Sequence, residues 1–132
     1  MTATTADELM TATVVTIHPE NPVTDAARAM LDANIGSLVI VDDENRPAGI
    51  LTRTDFVRLA SDGESLTGDD VPTIRSVMET ELVTITPDTS LEELSRLMDD
   101  HAIHHLPVVG ETGQVVGIVT TTDLAAASAE SA

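Results

Sequence analysis

Apolar residues recur along this chain in two alternating rhythms, and the same succession of rhythms runs through it twice. Val14-Val15-Thr16-Ile17 is a short β-branched run that Pro19 ends. Val23, Ala26, Ala27, Met30 and Leu31 then fall at helical spacing. They predict a helix with Asn21 or Thr24 capping its start and Gly36 as the residue past its last turn. Ser37 to Val41 is a continuous aliphatic run, the pattern of a strand buried on both faces. Asp42-Asp43-Glu44-Asn45 supplies a turn, and Pro47 to Leu51 a returning strand. Thr52 opens a second helix that carries Phe56, Val57, Leu59 and Ala60. The order is β-α-β-β-α.

The second half predicts the same order: strand 82–85, helix 90–101, strands 105–109 and 114–119, and a helix from 120. Residues 10–56 align with 78–124 without a gap, and about a third of the positions are identical. Met10/Met78, Val15/Val83, Pro19/Pro87, Gly49/Gly117, Thr52/Thr120 and Asp55/Asp123 are among the identical pairs. Such self-similarity outweighs any single-element reading. It divides the chain into repeats at 8–60 and 73–127, a Gly- and Asp-rich linker at 61–72 and a tail at 128–132. A three-stranded sheet with helices on one side leaves its other face apolar and uncovered. The expected fold is therefore mixed α/β (α+β): tandem β-α-β-β-α repeats packed sheet to sheet with pseudo-twofold symmetry, leaving two equivalent clefts between them.

Composition narrows the function more than the fold. The 132 residues are 42% hydrophobic, yet Phe56 is the one aromatic residue. The core must be aliphatic, and stacking platforms for single-stranded nucleic acid are missing. The formal net charge is −17, and all six basic residues are Arg. Nucleic acid and anionic membranes repel such a surface. Hydrophobicity this high and periodic excludes a disordered polyanion. A surface of this kind suits concentrated salt, where repulsion is screened within roughly 3 Å at 1 M. Abundant carboxylates without Lys resemble proteins of salt-accumulating halophilic archaea. With no Cys there is no disulfide framework. No apolar run approaches the roughly 20 residues that cross a bilayer, and MTATTADELM has neither the basic nor the apolar region of a secretory signal. A soluble, cytoplasmic protein is expected.

Four short motifs recur in order in both halves. Gly49-Ile50-Leu51-Thr52-Arg53-Thr54-Asp55 and Gly117-Ile118-Val119-Thr120-Thr121-Thr122-Asp123 resemble the hallmark of the cystathionine-β-synthase (CBS) domain. The openings Val15-Thr16-Ile17-His18-Pro19 and Val83-Thr84-Ile85-Thr86-Pro87, and the strand His104-His105-Leu106-Pro107-Val108-Val109, are similar to that family as well. The resemblance covers about residues 8–127. It implies a stand-alone CBS pair, or Bateman module, that binds AMP, ADP, ATP, S-adenosylmethionine or a related adenosine compound as a regulatory ligand. It further implies a homodimer that signals to an unidentified protein partner, with no nucleic acid, membrane or required cofactor. A ligand-free dimerisation or scaffold module is the alternative.

The resemblance assigns ribose recognition to Asp55 and Asp123, whose carboxylates accept from vicinal hydroxyls. Each also reads as a first-turn acid complementing a helix dipole. Thr52, Thr54, Thr120 and Thr122 place hydroxyls and free amides at helix N-termini, a ready phosphate site. Plain capping by Thr52 or Thr120 explains them equally. Arg53 is a candidate phosphate contact, and its counterpart Thr121 is uncharged, so two sites should differ. By resemblance, Val15, Thr16, Pro19, Gly36, Ser37, Val83, Thr84, Pro87, Leu106 and Pro107 line the adenine. A strand-to-helix turn without ligand is the other reading of the Thr16 and Thr84 loops. His104 and His105 match phosphate-binding positions of adenylate-sensing relatives, whereas Gly36 and Ser37 leave room and supply no charge. Adjacent His residues point to opposite faces of a strand. Even with His101 nearby they complete no metal set, and no metal is expected. Asp42/Asp43, Glu92/Glu93 and Asp99/Asp100 read as solvated surface, and nothing pairs a nucleophile with a base. No catalytic residue and no enzymatic activity are expected.

Overall fold

The computed structural model describes residues 4–11 and 15–131, with side chains as far as Ala126. Its elements run α1 (Ala6–Leu9), β1 (Thr16–Ile17), α2 (Val23–Ala33), β2 (Ser37–Val41), β3 (Pro47–Thr52), α3 (Arg53–Ser61), α4 (Ile74–Val77), α5 (Leu91–His101), β4 (His105–Val109), β5 (Val115–Thr120) and α6 (Thr121–Ser131). Between α3 and α4 lies a single 3-10 turn, Gly68–Asp70. The chain condenses into two units: residues 15–82, here the first unit, and residues 83–132 with 1–14, the second.

In the first unit β1 pairs parallel with β2, and β2 antiparallel with β3, Ser37 opposite Thr52 and Ile40 opposite Gly49. All five residues of β2 are buried, as a strand covered on both faces requires. Its core gathers Val23, Ala26 and Met30 from α2, Leu38, Ile40 and Leu51 from the sheet, Leu59 from α3 and Ile74 from α4. The second unit repeats the β4–β5 ladder, His105 opposite Thr120 and Val108 opposite Gly117. Its core holds Ala6, Ile85, Leu94, Met98, Leu106, Val108 and Val119. The two cores exchange sizes at equivalent places. Ala26 and Ile74 in one are answered by Leu94 and Ala6 in the other, a swap that keeps volume.

Each unit is closed by a four-residue helix from just before the other repeat. In the first unit α4 donates Ile74 N–H to Asn21 O (2.9 Å) and Arg75 N–H to Pro19 O (2.9 Å). Ile50 and Glu79 exchange two hydrogen bonds of 3.0 Å, and the Met78 side chain lies on Gly49. In the second unit α1 does the same. Ala6 N–H bonds Thr89 O (2.8 Å), Asp7 N–H bonds Pro87 O (2.9 Å), Thr11 pairs with Ile118, and Met10 lies on Gly117. The sequence pattern does not reveal these helices. They are too short to show a period, and Met10/Met78 is their trace in the repeat.

Three local expectations need correction. Helix α2 begins after Pro22 with no side-chain cap; Asn21 donates to Asp25 instead (3.1 Å). Its end is set by Asn34 at φ 54° rather than by Gly36, and α5 ends on Ala102 at φ 53°. In both, the next N–H returns to the helix, Ile35 to Met30 O (3.0 Å) and Ile103 to Met98 O (3.1 Å), the C-terminal motif that a left-handed residue makes possible. The strand expected at 82–85 shrinks to one bridge, Ile85 with Val108. Ile85 N–H donates to Pro107 O (3.0 Å), but Pro107 has no N–H to return a bond on that side. Val39 holds the equivalent place in β2 and pairs with Thr16. Of the strand expected at 14–17, Val14 lies outside the described residues.

Candidate functional site

The strongest shared geometry sits where β3 runs into α3 and β5 into α6. Thr52 is the N-cap of α3. Its backbone N–H donates to Asp55 Oδ2 (2.7 Å), and its hydroxyl reaches the same oxygen (3.2 Å). Thr120 and Asp123 repeat both bonds at 2.8 and 3.2 Å. In α3 this is a reciprocal helix cap, and Asp123 accepts the same pair of bonds at the start of α6. Oδ2 of each carboxylate holds the cap, which frees Oδ1 for other partners. In the first unit Arg58 Nη1 stands 3.7 Å from Asp55 Oδ1, and the Asp55 side chain is 14% exposed. The residue equivalent to Arg58 is Ala126, so Asp123 has no guanidinium at that place. Sequence reasoning missed Arg58, whose i, i+3 spacing from Asp55 was its signal.

The adjoining strands bring further residues to the same points. Ser37 faces Thr52 across the ladder and is 8% exposed. The N–H of Arg53 donates to Gly36 O (3.2 Å), and its guanidinium carbon Cζ and two nitrogens, Nη1 and Nε, lie 3.5–3.7 Å from where a Gly36 Cβ would stand. Gly36 therefore does not leave uncharged room: Arg53 fills it. In the second unit the places are exchanged. His104 stands where Gly36 stood and Thr121 where Arg53 stood, and Thr121 N–H donates to His104 O (3.1 Å). His105 faces Thr120. Its ring meets that of His104 edge-on, centroids 6.4 Å apart. Burial pushes the His105 imidazole below its ordinary range, and the neighbouring His104 adds to the shift. Thr54 and Thr122 are exposed in the first turns of α3 and α6.

The residues assigned to adenine divide. Thr16 and Thr84 are exposed, Val15, Val83 and Pro87 half-buried, and Pro19 buried. The carbonyls of Pro19 and Pro87 are taken by α4 and α1. Leu106 and Pro107 are fully buried, Leu106 within the core. Among the described residues no three His, Cys, Asp or Glu side chains gather as a metal site, and no helix is long and apolar enough to cross a membrane.

The capping Asp changes one inference. If each Asp had no purpose without a ligand, finding it in both repeats would argue for binding. Here it has one, because it holds the first turn of a helix. The other carboxylate oxygen and the helix amides are what a ligand could use, with Arg53 close by in the first unit.

The CBS domain model matches this sequence twice, over residues 6–62 and 74–130. The chain belongs to the CBS domain family. Both matches begin at or near the short helices α1 and α4, so the family's repeat includes them. CBS domain-containing protein YhcV of Bacillus subtilis is 36% identical over 119 residues, 89% of this chain and 81% of that protein. A 17.7 kDa protein of Acidianus ambivalens is 33% identical over 125 residues, 95% of this chain and 73% of its own length. Other relatives are longer: this CBS pair spans 62% of one from Methanopyrus kandleri and 32% of one from Methanocaldococcus jannaschii. Among solved structures, the CBS domain pair of protein MJ0100, in complex with 5-methylthioadenosine and S-adenosyl-L-methionine, superposes with a TM-score of 0.84 at 26% identity. The overlap takes in 94% of this chain and 98% of that one.

Proposed function

We propose that this CBS pair is a regulatory module, not a catalyst, that binds an adenosine-containing ligand and self-associates to pass the bound state to a protein partner. The observation that carries the reading is the twin Thr-x-x-Asp cap. In each unit a carboxylate that holds a helix start stands beside first-turn amides, with the Arg53 guanidinium in the first unit and the His104 imidazole in the second at the adjoining strand and helix ends. Ribose hydroxyls suit the remaining carboxylate oxygen, and the helix amides suit a phosphate. The MJ0100 pair, with its two adenosine compounds, supports the ligand class. Asp55 and Asp123 bind the ribose, and Thr52, Arg53, Thr54, Thr120, Thr122, His104 and His105 meet its phosphate or sulfonium side. The opening loops at Thr16 and Thr84 flank the base. Ligand signals only by binding one arrangement of the protein better than another.

The scaffold alternative has one observation in its favour: both Asp residues are useful to an empty protein. Calorimetry in molar KCl with AMP, ADP, ATP and S-adenosylmethionine separates the two. Asp55→Ala and Asp123→Ala test the carboxylates. Asp55→Asn and Asp123→Asn keep an acceptor for the cap while removing the charge. Micromolar binding that the Asn variants lose while still folded establishes the ligand site. No binding by the folded wild type leaves the scaffold.

A further inference from the structure

Oxidisable side chains are few in this chain: it has no Cys, Trp or Tyr, and five Met carry all its sulfur. Four of these lie among the described residues, and they fall into two kinds. Met30 and Met98 are core residues, each 5% exposed. Met10 and Met78 are half-buried, and each lies on a strand glycine of the unit that its helix closes. Met78 Sδ and Cγ stand 2.6 and 2.9 Å from where a Gly49 Cβ would be, and Met10 holds the same place on Gly117, its Cγ at 2.9 Å. Each of the two ends a closing helix: Met78 N–H donates to Ile74 O (2.9 Å) and Met10 N–H to Ala6 O (2.8 Å). The residue after each then pairs with the strand, Glu79 with Ile50 and Thr11 with Ile118. Gly49 and Gly117 stand three residues before Thr52 and Thr120, on the strands that lead into the caps.

We propose that Met10 and Met78 are paired oxidation sites, at which a peroxide converts the thioether to a sulfoxide and releases the closing helix. The sulfur attacks one peroxide oxygen; the O–O bond breaks and an S–O bond forms. Sulfur gives up two electrons, and the second oxygen leaves as hydroxide, takes the proton and departs as water. A thioether fits against the glycine because it is apolar, slim and adaptable. A sulfoxide is polar and carries an added oxygen that only accepts hydrogen bonds. Beside Gly49 that oxygen meets Glu79 O, an acceptor already bonded to Ile50 N–H. Turning it out to water lifts the side chain off the glycine, and the short helix loses the group that clamps its end. Methionine sulfoxide reductase reverses the change. Because the same thioether serves both units, one oxidant loosens both covers.

Wild type in molar KCl is treated with dilute hydrogen peroxide, and sulfoxide at each Met is followed by peptide mapping with mass spectrometry. Met10 and Met78 should oxidise several-fold faster than Met30 and Met98. Thermal melts followed by far-UV circular dichroism should show Tm falling by several degrees as those two sulfoxides form, and methionine sulfoxide reductase should restore it. A double variant, Met10→Leu with Met78→Leu, keeps the apolar volume and should hold its Tm through the same treatment. Met78→Gln alone should reproduce part of the fall without oxidant. Met30 and Met98 oxidising as fast as Met10 and Met78, or a protein oxidised at both sites that melts as wild type does, overturns the proposal. An equal peroxide-induced fall in the Leu variant assigns the effect to another residue and overturns it as well.

Discussion

Adding one methyl group at Gly49 tests whether the short closing helices belong to the units assigned to them. Gly49 sits in the middle of β3, where Ala is the easier residue by about 0.5–1 kcal/mol on backbone grounds alone. Local reasoning therefore predicts that Gly49→Ala stabilises. The packing predicts the opposite. A Cβ at Gly49 would stand 2.6 Å from Met78 Sδ, 2.9 Å from Met78 Cγ and 3.0 Å from Glu79 O. The thioether can swing away. The Glu79 carbonyl is held, because it accepts from Ile50 N–H at 3.0 Å and the reciprocal bond has the same length. Overpacking costs about 1–3 kcal/mol, and each strained backbone bond is worth about 1 kcal/mol. The net expectation is a loss of about 1–2 kcal/mol, a fall in Tm of roughly 3–8 °C. Urea and thermal unfolding followed by far-UV circular dichroism in molar KCl measure it, since the chain has no Trp or Tyr. Met78→Ala removes the thioether but not the carbonyl, so the double variant should recover part of the loss, with a coupling of about 0.5–1 kcal/mol. A Gly49→Ala protein as stable as wild type, or two substitutions that simply add, would refute the closure.

Three further outcomes follow from other features. Ala102→Gly relieves a left-handed residue at φ 53° and should stabilise by about 1 kcal/mol in urea unfolding; Asn34→Gly, starting from a residue that tolerates this conformation, should gain less. His105 has its folded pKa below the unfolded value, so unfolding takes up a proton. Its contribution is intact above about pH 6.5 and is lost as pH falls from there toward the folded value. His105→Ser, the residue at the equivalent place in the first repeat, should be less sensitive than wild type to that fall when both are melted in molar KCl. With a net charge of −17, lowering KCl from molar to about 0.1 M lengthens screening from about 3 to 10 Å. Tm should drop for all variants together, and sucrose at equal osmolality should not restore it.

The sequence made the central strands and long helices plain because each shows its own period over enough residues. Ser37–Val41 reads as buried on both faces and is. Thr52-x-x-Asp55 and Thr120-x-x-Asp123 were visible as pairs, and the structure makes both of them caps. Failures cluster where a tertiary partner decides. Gly36 looked like a helix stop, but Asn34 already supplies the left-handed turn, and Gly36 instead lies under Arg53. That contact spans a strand pair, and no local pattern reports it. The single bridge at Ile85 was legible in principle, since Pro107 removes a donor from a central strand. The closing helices were not, because four residues hold less than two turns and their burial depends on a sheet far away in sequence.

The exchange of closing helices bears on how such a chain could arise. A solitary repeat, with its own leading helix, would carry a cover shaped for a different copy and leave its own Met-binding glycine bare. Two solitary chains could satisfy each other only by trading those helices, at the mercy of dilution. Joining them end to end turns that trade into an intramolecular event with a high effective concentration. Duplication and fusion then become a step toward stability, before any ligand is involved. It also means that cutting between the repeats would yield two pieces that each retain the other's cover, and that they should recombine when mixed.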